Sequence, residues 1–344
     1  MDSTTPQRVS PDAIREAASL GAFDWEPGAV SERLGEVTSV GLGQTYEAWK
    51  LTLRDADPVA LRVVHRPIET LPRPMRHEFA ALRLVPEGIG PRGLLMDDTS
   101  DNPLGRPWIL ATFAPGAEKP VAEWTDDDLT NNARQLARLH EPSVVVRGSP
   151  DSPGLWSLDI EEEFSTGWQW WHDHHPEITA RPRFRALRRR VATFLERRAG
   201  EFTHLDTFAL IHGDLVATNV VFDEVGTPRY IDWEWSEYED AAKDLALIGG
   251  RVHGGPWYVP MTQAQVEAFV GEYASAREEI TGTRPDVTAL LRRRDAWEAH
   301  ERLQTAMHNA MKAAAPGTPD RAMYADAVDT VLATLAQRLD ADER

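Results

Sequence analysis

The chain of 344 residues contains no cysteine, which excludes disulfide scaffolds, cysteine-ligated zinc, iron–sulfur clusters and a cysteine nucleophile. Long apolar runs are also missing. The longest useful one, Trp108 to Ala114, is far shorter than the roughly 20 residues that a transmembrane helix needs. Residues 1–6 lack the basic and apolar regions of a signal peptide. We therefore expect a soluble, cytoplasmic protein.

Basic residues are scarce. Lys and Arg number 37 against 55 Asp and Glu, so the formal net charge is −18. A negative excess of this size repels nucleic acid and anionic membranes, and neither is expected as a partner. It suits a cationic partner or serves solubility alone. Residues 1–113 carry 16 acids and 12 bases, a net of −4, which leaves −14 for the rest of the chain.

The pattern along the chain indicates a β-rich first part and a helical second part, without internal repeats. Ser10 is typical of a helix N-cap, with Pro11 at the first helical position of a helix that reaches Ala22. Period-two alternation predicts five strands around one internal helix before Gly116, and helical periodicity dominates after it. The strands are expected near 36–40, 44–53, 59–64, 92–96 and 107–113 and the internal helix near 76–84; later helices are expected at 126–140 and after residues 261, 284 and 319, and short strands at 209–211, 220–222 and 229–231.

These elements predict an α+β fold in three segments. The first is a small β-rich N-terminal lobe over residues 1–113, the second a Pro-Gly hinge over 114–116, and the third a larger α-helical C-terminal lobe over 117–344. Because −14 of the net charge lies beyond residue 113, most of the acidity belongs to the larger lobe.

The most informative stretch is 211–219, Ile-His-Gly-Asp-Leu-Val-Ala-Thr-Asn, followed by Ile-Asp-Trp-Glu at 231–234. It places a carboxylate at Asp214, an amide at Asn219 and a second carboxylate at Asp232. Mg²⁺ bound with a nucleotide takes one or two hard protein oxygens, and Asn219 and Asp232 are able to supply them. Asp214 then remains available to accept a hydroxyl proton.

This order resembles the catalytic loop of kinases, in which an Asp, four spacers and an Asn precede a metal-binding Asp. The His-Gly-Asp form, with Ile-Asp-Trp-Glu in place of Asp-Phe-Gly, is similar to the aminoglycoside phosphotransferase and choline kinase superfamily. The resemblance extends from about Leu34 to the C-terminus and implies a bilobal protein-kinase-like fold. It implies that Asp214 is catalytic and that Asp244 braces the backbone of the catalytic loop, with His212 and Glu234 in supporting roles.

The strand Val-Ala-Leu-Arg at 59–62 overlays the Val-Ala-Ile-Lys strand of kinases, with Arg62 where kinases have Lys. Ala60 and Arg62 share one strand face, so that Ala60 is placed to floor an adenine pocket and Arg62 to contact phosphates. Glu78 on the next helix is the expected ion-pair partner of Arg62. The remaining nucleotide-binding candidates are Gly41 and Gly43 in a weak phosphate-covering turn, and Phe113 and Ala114 beside the hinge.

Aromatic and histidine residues form further clusters whose role the pattern leaves open. Trp168, Trp170 and Trp171 occur with three histidines at 172, 174 and 175, and two more tryptophans, Trp233 and Trp235, follow Asp232 closely. Such rings stack on sugars, heterocycles or cations, but core packing is the alternative for each. No zinc-ligand spacing supports a metal there. The acidic run 159–163 fits either a cationic-substrate site or a solvated helix start.

The sequence thus predicts an enzyme that transfers the γ-phosphoryl group of ATP, or alternatively GTP, to a small-molecule hydroxyl with Mg²⁺. The resemblance implies an antibiotic acceptor of aminoglycoside, macrolide, peptide or nucleoside type and a role in resistance, and the acidic larger lobe favours a cationic one. The alternatives are a metabolic kinase of choline, homoserine or a sugar-like compound, and a nucleotide-binding pseudokinase. We expect a monomer or a homodimer.

Overall fold

The computed structural model describes residues 8–343, and the chain divides into two units. The sheet unit comprises the described residues up to Pro115, together with Ser149–Asp151 and Arg229–Ser236. The helical unit comprises Gly116–Gly148, Ser152–Pro228 and the described residues from Glu237 onward. The boundaries 1–113, 114–116 and 117–344 remain a prediction, and the expectation about residues 1–6 lies outside the described residues.

The sheet unit is built around one five-stranded antiparallel sheet in the order β1–β2–β3–β5–β4. The five predicted strands and the internal helix are confirmed, with small shifts at their ends. The elements are α1 (Pro11–Ser19), β1 (Leu34–Leu42), β2 (Tyr46–Leu53), β3 (Ala56–Val64), α2 (Met75–Leu84), β4 (Gly93–Asp97) and β5 (Trp108–Thr112).

Helix α1 and one face of the sheet form the core of this unit. Ser10 caps α1 as predicted, since its hydroxyl accepts a hydrogen bond from the Ala13 N–H at 3.1 Å. The helix ends at Ser19, three residues before the predicted Ala22. Its buried face packs with alternate residues of β2 and β3, which leaves the other sheet face for the half-buried Ala60 and Arg62.

The turn predicted around Gly41 is shorter than expected. β1 continues to Leu42 because Gly41 pairs with Ala48 across a register shift after Ser39. The connection is closed by the Gly43 N–H, which donates to the Tyr46 carbonyl at 2.8 Å. Gly41 therefore lies in a strand, and a bulge rather than a loop sets its position.

The helical unit contains the predicted helices at 126–140 and after residues 261, 284 and 319, which are confirmed. α3 packs against α8, and α10 packs against α9. No helix within residues 8–343 is long and apolar enough to cross a membrane. The elements after β5 in chain order are β6 (Ala117–Glu118), α3 (Asp126–Leu139), α4 (Ile160–His174), α5 (Pro176–Thr179), α6 (Pro182–Glu196), β7 (Ala209–Ile211), β8 (Val220–Phe222), β9 (Pro228–Tyr230), β10 (Glu237–Glu239), α7 (Ala242–Leu247), β11 (Gly249–Gly250), β12 (Val259–Pro260), α8 (Gln263–Thr281), α9 (Val287–Ala314) and α10 (Arg321–Asp342). Of these, β9 falls at a boundary, with Pro228 in the helical unit and its other two residues in the sheet unit.

The short strands in the middle of the chain are present, but they have partners that the pattern did not predict. β7 pairs antiparallel with β10, with Ile211 opposite Glu237. β8 pairs antiparallel with β6, with Phe222 opposite Ala117. Both partner strands are only two or three residues long and carry no alternation, so periodicity gives no signal for them.

Candidate functional site

The loop after β7 carries Asp214 and is fixed by a buried carboxylate from α7. Asp244, which is 0% exposed, accepts the His212 N–H at 2.8 Å and the Gly213 N–H at 3.0 Å. Gly213 has φ of +78°, a left-handed conformation that glycine adopts without a Cβ penalty. The chain thereby turns sharply just before Asp214. The contact that the resemblance implied for Asp244 is present.

A buried hydrogen-bonded chain holds Asp244 in turn. His140 Nε2 lies 3.2 Å from Asp244 Oδ2, and His140 Nδ1 lies 2.9 Å from the Tyr273 hydroxyl. Burial alone raises the pKa of Asp244, but the hydrogen bond and charge of His140, with His212, outweigh burial and lower it. His140 and Tyr273 were not predicted from the sequence, because a separation of 104 residues between His140 and Asp244 leaves no local pattern.

Asp214 and Asn219 contact each other within this loop. The Asn219 amide nitrogen donates to the Asp214 carbonyl at 2.8 Å and lies 3.3 Å from Asp214 Oδ2. His212 is fully buried, and its Nδ1 faces the Asp214 N–H at 3.4 Å. Because the Asn219 nitrogen makes these contacts, its carbonyl oxygen is the atom of the side chain suited to a hard cation.

Replacement of Asp244 is expected to destabilise the fold, because it leaves two backbone N–H groups and His140 without their buried acceptor. We expect Asp244→Ala to lower the free energy of unfolding by about 3–5 kcal/mol and Asp244→Asn to lower it by less. A lowered folded-state pKa stabilises the fold above the ordinary Asp pKa, and this stabilisation is lost as pH falls through the folded value. Urea unfolding from pH 7 down to about pH 3 should therefore show a shallower acid loss in Asp244→Asn than in the parent. Equal acid slopes would contradict this role of Asp244.

In the sheet unit, Arg62 bridges two carboxylates. Its Nη1 donates to Glu78 Oε1 on α2, and its Nη2 donates to Asp232 Oδ1 at 2.6 Å. The guanidinium carbon also lies 4.3 Å from the centre of the Tyr46 ring. The expected ion pair between Arg62 and Glu78 is thus present, and Asp232 is a second partner that the sequence analysis did not assign to Arg62.

The charges of this cluster shift one another's pKa values. Burial raises the pKa of Glu78 to about 7 against the lowering effect of Arg62, and Asp232 and Glu234 raise it further. Burial opposes the charge on Arg62, but Glu78 and Asp232 outweigh burial and raise its pKa. Burial, then the charge of Asp232, raises the pKa of Glu234, which hydrogen-bonds Thr45. Arg62 thus contacts two carboxyl groups, those of Glu78 and Asp232, and Glu234 adds a third carboxyl group to the same cluster.

Asp232 is placed by residues on both sides of it in the chain, Tyr230 and Trp233. The Tyr230 N–H donates to the Ile89 carbonyl at 2.8 Å, and the fully buried Trp233 donates from Nε1 to the Tyr230 carbonyl at 2.9 Å. Gly90 has no room for a Cβ, which would lie 2.6 Å from the Tyr230 oxygen. Asp232 has φ of +68°, a left-handed conformation in which Asp is enriched among non-glycine residues. The backbone strain sits at the residue whose carboxylate meets Arg62.

The other nucleotide-binding candidates lie in the sheet unit, where their role remains a prediction. Ala60 is half-buried on the same face of β3 as Arg62 and pairs with Ala111 of β5. The Phe113 N–H donates to the Pro58 carbonyl at 3.1 Å, and Lys50 lies over the Phe113 ring. Gly41 is the last but one residue of β1, Gly43 directly follows β1, and Ala114 lies two residues after the end of β5.

The aromatic and acidic clusters have mainly structural positions. Trp168, Trp171 and Trp233 are buried, whereas Trp170 and Trp235 are 49% and 38% exposed. The Trp170 ring stacks on the His174 ring, with 4.6 Å between the ring centres. Asp159 caps α4, so the acidic run is a helix start, as one of the two alternatives proposed. In the part of the chain that the structure describes, no three or more His, Asp or Glu side chains are grouped to hold a metal ion.

Comparison with known proteins identifies the family of this chain. The profile of the phosphotransferase enzyme family (APH) matches residues 36–252, which is more than half of the chain and contains both the Arg62 cluster and the Asp214 loop. No curated protein matches the chain in sequence.

Solved structures show the same fold at low identity. The chain is similar to a choline kinase from Cryptosporidium parvum Iowa II, with a TM-score of 0.62 and 11% identity over 97% of this chain and 96% of that one. An ethanolamine kinase from Plasmodium vivax gives 0.61 and 15% over 93% and 86%. A thermostable mutant of aminoglycoside phosphotransferase APH(4)-Ia, in ternary complex with AMP-PNP and hygromycin B, gives 0.56 and 13% over 88% and 94%. The fold is protein-kinase-like, as predicted, and the chain belongs to the phosphotransferase enzyme family as a phosphotransferase that acts on the hydroxyl group of a small molecule.

Proposed function

We propose that this phosphotransferase moves the γ-phosphoryl group of ATP, or alternatively GTP, to a small-molecule hydroxyl, with Asp214 as the catalytic residue. The observation that carries the proposal is the construction of the Asp214 loop. A buried Asp244 fixes its backbone, and Asn219 contacts the Asp214 carboxylate from the same loop. A carboxylate held in this way suits a group that must orient a hydroxyl before transfer.

In the proposed reaction, Asp214 accepts the proton of the acceptor hydroxyl as that oxygen attacks the γ-phosphorus. The bond between the γ-phosphorus and the bridging oxygen breaks, and the nucleoside diphosphate leaves with the electron pair. Most of the rate enhancement comes from positioning and from stabilisation of the phosphate charge. Arg62 contacts the phosphates, since Glu78 and Asp232 orient its guanidinium and a guanidinium carries five N–H donors.

Mg²⁺ fits the donor set proposed for it. When bound, the ion supplies positive charge that offsets the charge of the phosphates. We propose Asn219 and Asp232 as its protein ligands, because each offers an oxygen of the hard type that Mg²⁺ prefers. The two residues belong to different units of the chain. The support for pairing them is therefore the order of the motif and the chemistry of the two donors.

The acceptor is proposed to be an antibiotic, so that phosphorylation confers resistance. Support comes from the structural relative that carries hygromycin B, and the acidity beyond residue 113 favours a cationic compound. The second candidate is a small amino alcohol of metabolism, which the choline and ethanolamine kinases among the relatives favour. Incubation with Mg²⁺, ATP and each compound of both classes, followed by mass spectrometry, decides between them by which class gains one phosphate.

The proposed contact of Arg62 with the nucleotide phosphates, the Arg62 clamp, gives a prediction on nucleotide binding. Arg62→Ala removes a desolvated charge-assisted contact worth about 1.5–3 kcal/mol, so ATP affinity should fall roughly tenfold to more than a hundredfold, while adenosine affinity changes little. Arg62→Lys should recover part of the loss, because the charge survives without the planar fork. Glu78→Gln should give a smaller loss in the same direction. Calorimetric titration with ATP, ADP and adenosine measures all three variants.

Arg54→Ala is the matched control, since Arg54 is exposed in the same unit and donates to a backbone carbonyl. Its ATP affinity should equal that of the parent. Circular dichroism must first show that Arg62→Ala is folded, because the change leaves the buried Glu78 without its partner. Folded Arg62→Ala protein with parental ATP affinity would exclude the clamp.

A further inference from the structure

We propose that Ser149 and Asp151 form a tether that positions the first turn of α2, and through Glu78 the Arg62 side chain, for binding of nucleotide phosphates. The inference rests on the proposed function, because it takes Arg62 as the phosphate contact. Within that function it assigns a positioning role to residues that no motif marks.

The tether contacts two consecutive residues of α2. Asp151 Oδ2 accepts a hydrogen bond from Arg76 Nε at 3.0 Å. The Ser149 hydroxyl donates to Asp151 Oδ1 and lies 2.5 Å from His77 Nδ1. Because the Ser149 hydroxyl donates its single hydrogen to the Asp151 carboxylate, its oxygen accepts a hydrogen bond from His77 Nδ1–H. His77 is 2% exposed, so this contact is shielded from water.

The first turn of α2 has no cap of its own, because Pro74 occupies the N-cap position and makes no side-chain capping hydrogen bond. The tether contacts side chains of this turn, with Asp151 bonded to Arg76 and Ser149 to His77. The residue after His77 is Glu78, whose carboxylate accepts a hydrogen bond from Arg62. A shift or rotation of this turn therefore moves the carboxylate that orients Arg62.

The residue before the tether has backbone partners of its own. Ser149–Asp151 belong to the sheet unit, whereas Gly148 and Ser152 belong to the helical unit. In the helical unit, Gly148 exchanges two backbone hydrogen bonds of 2.8 Å with Tyr238. Gly148 is thus held within the helical unit, whereas the contacts of Ser149 and Asp151 with α2 lie within the sheet unit.

A double-mutant cycle tests the tether. We expect Asp151→Asn and Ser149→Ala each to weaken ATP binding by about threefold to tenfold and to leave adenosine binding unchanged. In an Arg62→Ala background, Asp151→Asn should cause no further loss, because the side chain through which the tether acts is gone. Asp329→Asn is the matched control, since it breaks the exposed ion pair with Arg183 and should leave ATP affinity at the parental value.

Two variants keep the test decisive if Asp151→Asn does not fold. Arg76→Gln removes the same ion pair by changing its other partner, whose side chain is 67% exposed, and it should reproduce the loss of ATP affinity. Arg76→Lys should recover part of that loss. Equal weakening of ATP and adenosine binding, an equal ATP loss in the Arg62→Ala background, or no loss in any tether variant would overturn the proposal. If Arg62→Ala alone leaves ATP binding unchanged, the proposed contact of Arg62 with the phosphates is wrong. If Arg62→Ala weakens ATP binding and the tether variants do not, only the tether is wrong.

Discussion

Asp214→Asn protein is expected to bind nucleotide as the parent does and to lose phosphoryl transfer by about 10²–10⁴-fold. The amide keeps the size of the carboxylate and an oxygen that Asn219 can contact, but it cannot accept the proton of the acceptor hydroxyl. The loop itself should be retained, because Asp244 bonds the backbone of His212 and Gly213 and not the Asp214 side chain.

The measurement is the transfer rate at saturating ATP and acceptor, with ATP affinity measured separately by calorimetry. Asp206→Asn is the control, because Asp206 is an exposed aspartate that lies just before β7 and outside the Asp214 loop. It should transfer phosphate at the parental rate. Transfer by Asp214→Asn within a few-fold of the parent, with the true acceptor, would remove Asp214 from its catalytic role.

Asp232→Ala is expected to abolish the Mg²⁺ dependence of nucleotide binding. The change removes the only charged protein ligand proposed for the ion. It also removes one of the two carboxylates that hold Arg62, whose Nη2 is then released from Asp232. ATP should therefore still bind without Mg²⁺, with a small loss of the kind expected for Glu78→Gln, while the tightening that Mg²⁺ gives the parent is lost.

Calorimetric titrations of ATP with and without Mg²⁺ measure this difference directly. Asp55→Ala is a close control, because Asp55 lies in the sheet unit, is exposed and shares the left-handed backbone conformation of Asp232, with φ of +58°. It should keep the parental response to Mg²⁺. The same Mg²⁺ response in Asp232→Ala would place the ion on other residues.

Much of the sheet unit could be predicted from the sequence, because its elements leave local patterns. Ser10 and Pro11 mark the start of α1, and alternation marks β2 and β3. The period of two also puts Ala60 and Arg62 on one face, as the structure does. The ion pair of Arg62 with Glu78 followed from a resemblance to kinases, not from spacing, since 16 residues separate the two.

The contacts that support the site could not be predicted in the same way. His140 contacts Asp244 from the C-cap of α3, Tyr273 of α8 contacts His140, and neither residue lies in a motif. The pairing of β7 with β10 joins strands of three residues, which are too short for periodicity to show. Asp232 is the second partner of Arg62, and its position depends on the hydrogen bond between the Tyr230 N–H and the Ile89 carbonyl. Each of these contacts is set by tertiary packing, which leaves no mark on the neighbouring sequence.

The decisive measurement is the mass of candidate acceptors after incubation with the protein, Mg²⁺ and ATP or GTP. The panel should include aminoglycoside, macrolide, peptide and nucleoside antibiotics together with choline, ethanolamine, homoserine and sugars. A small-molecule phosphotransferase should add one phosphate to members of one class, and Asp214→Asn should remove that gain. Phosphate gain that persists in Asp214→Asn, or a parent protein that binds neither nucleotide and phosphorylates no compound, would contradict the proposed function.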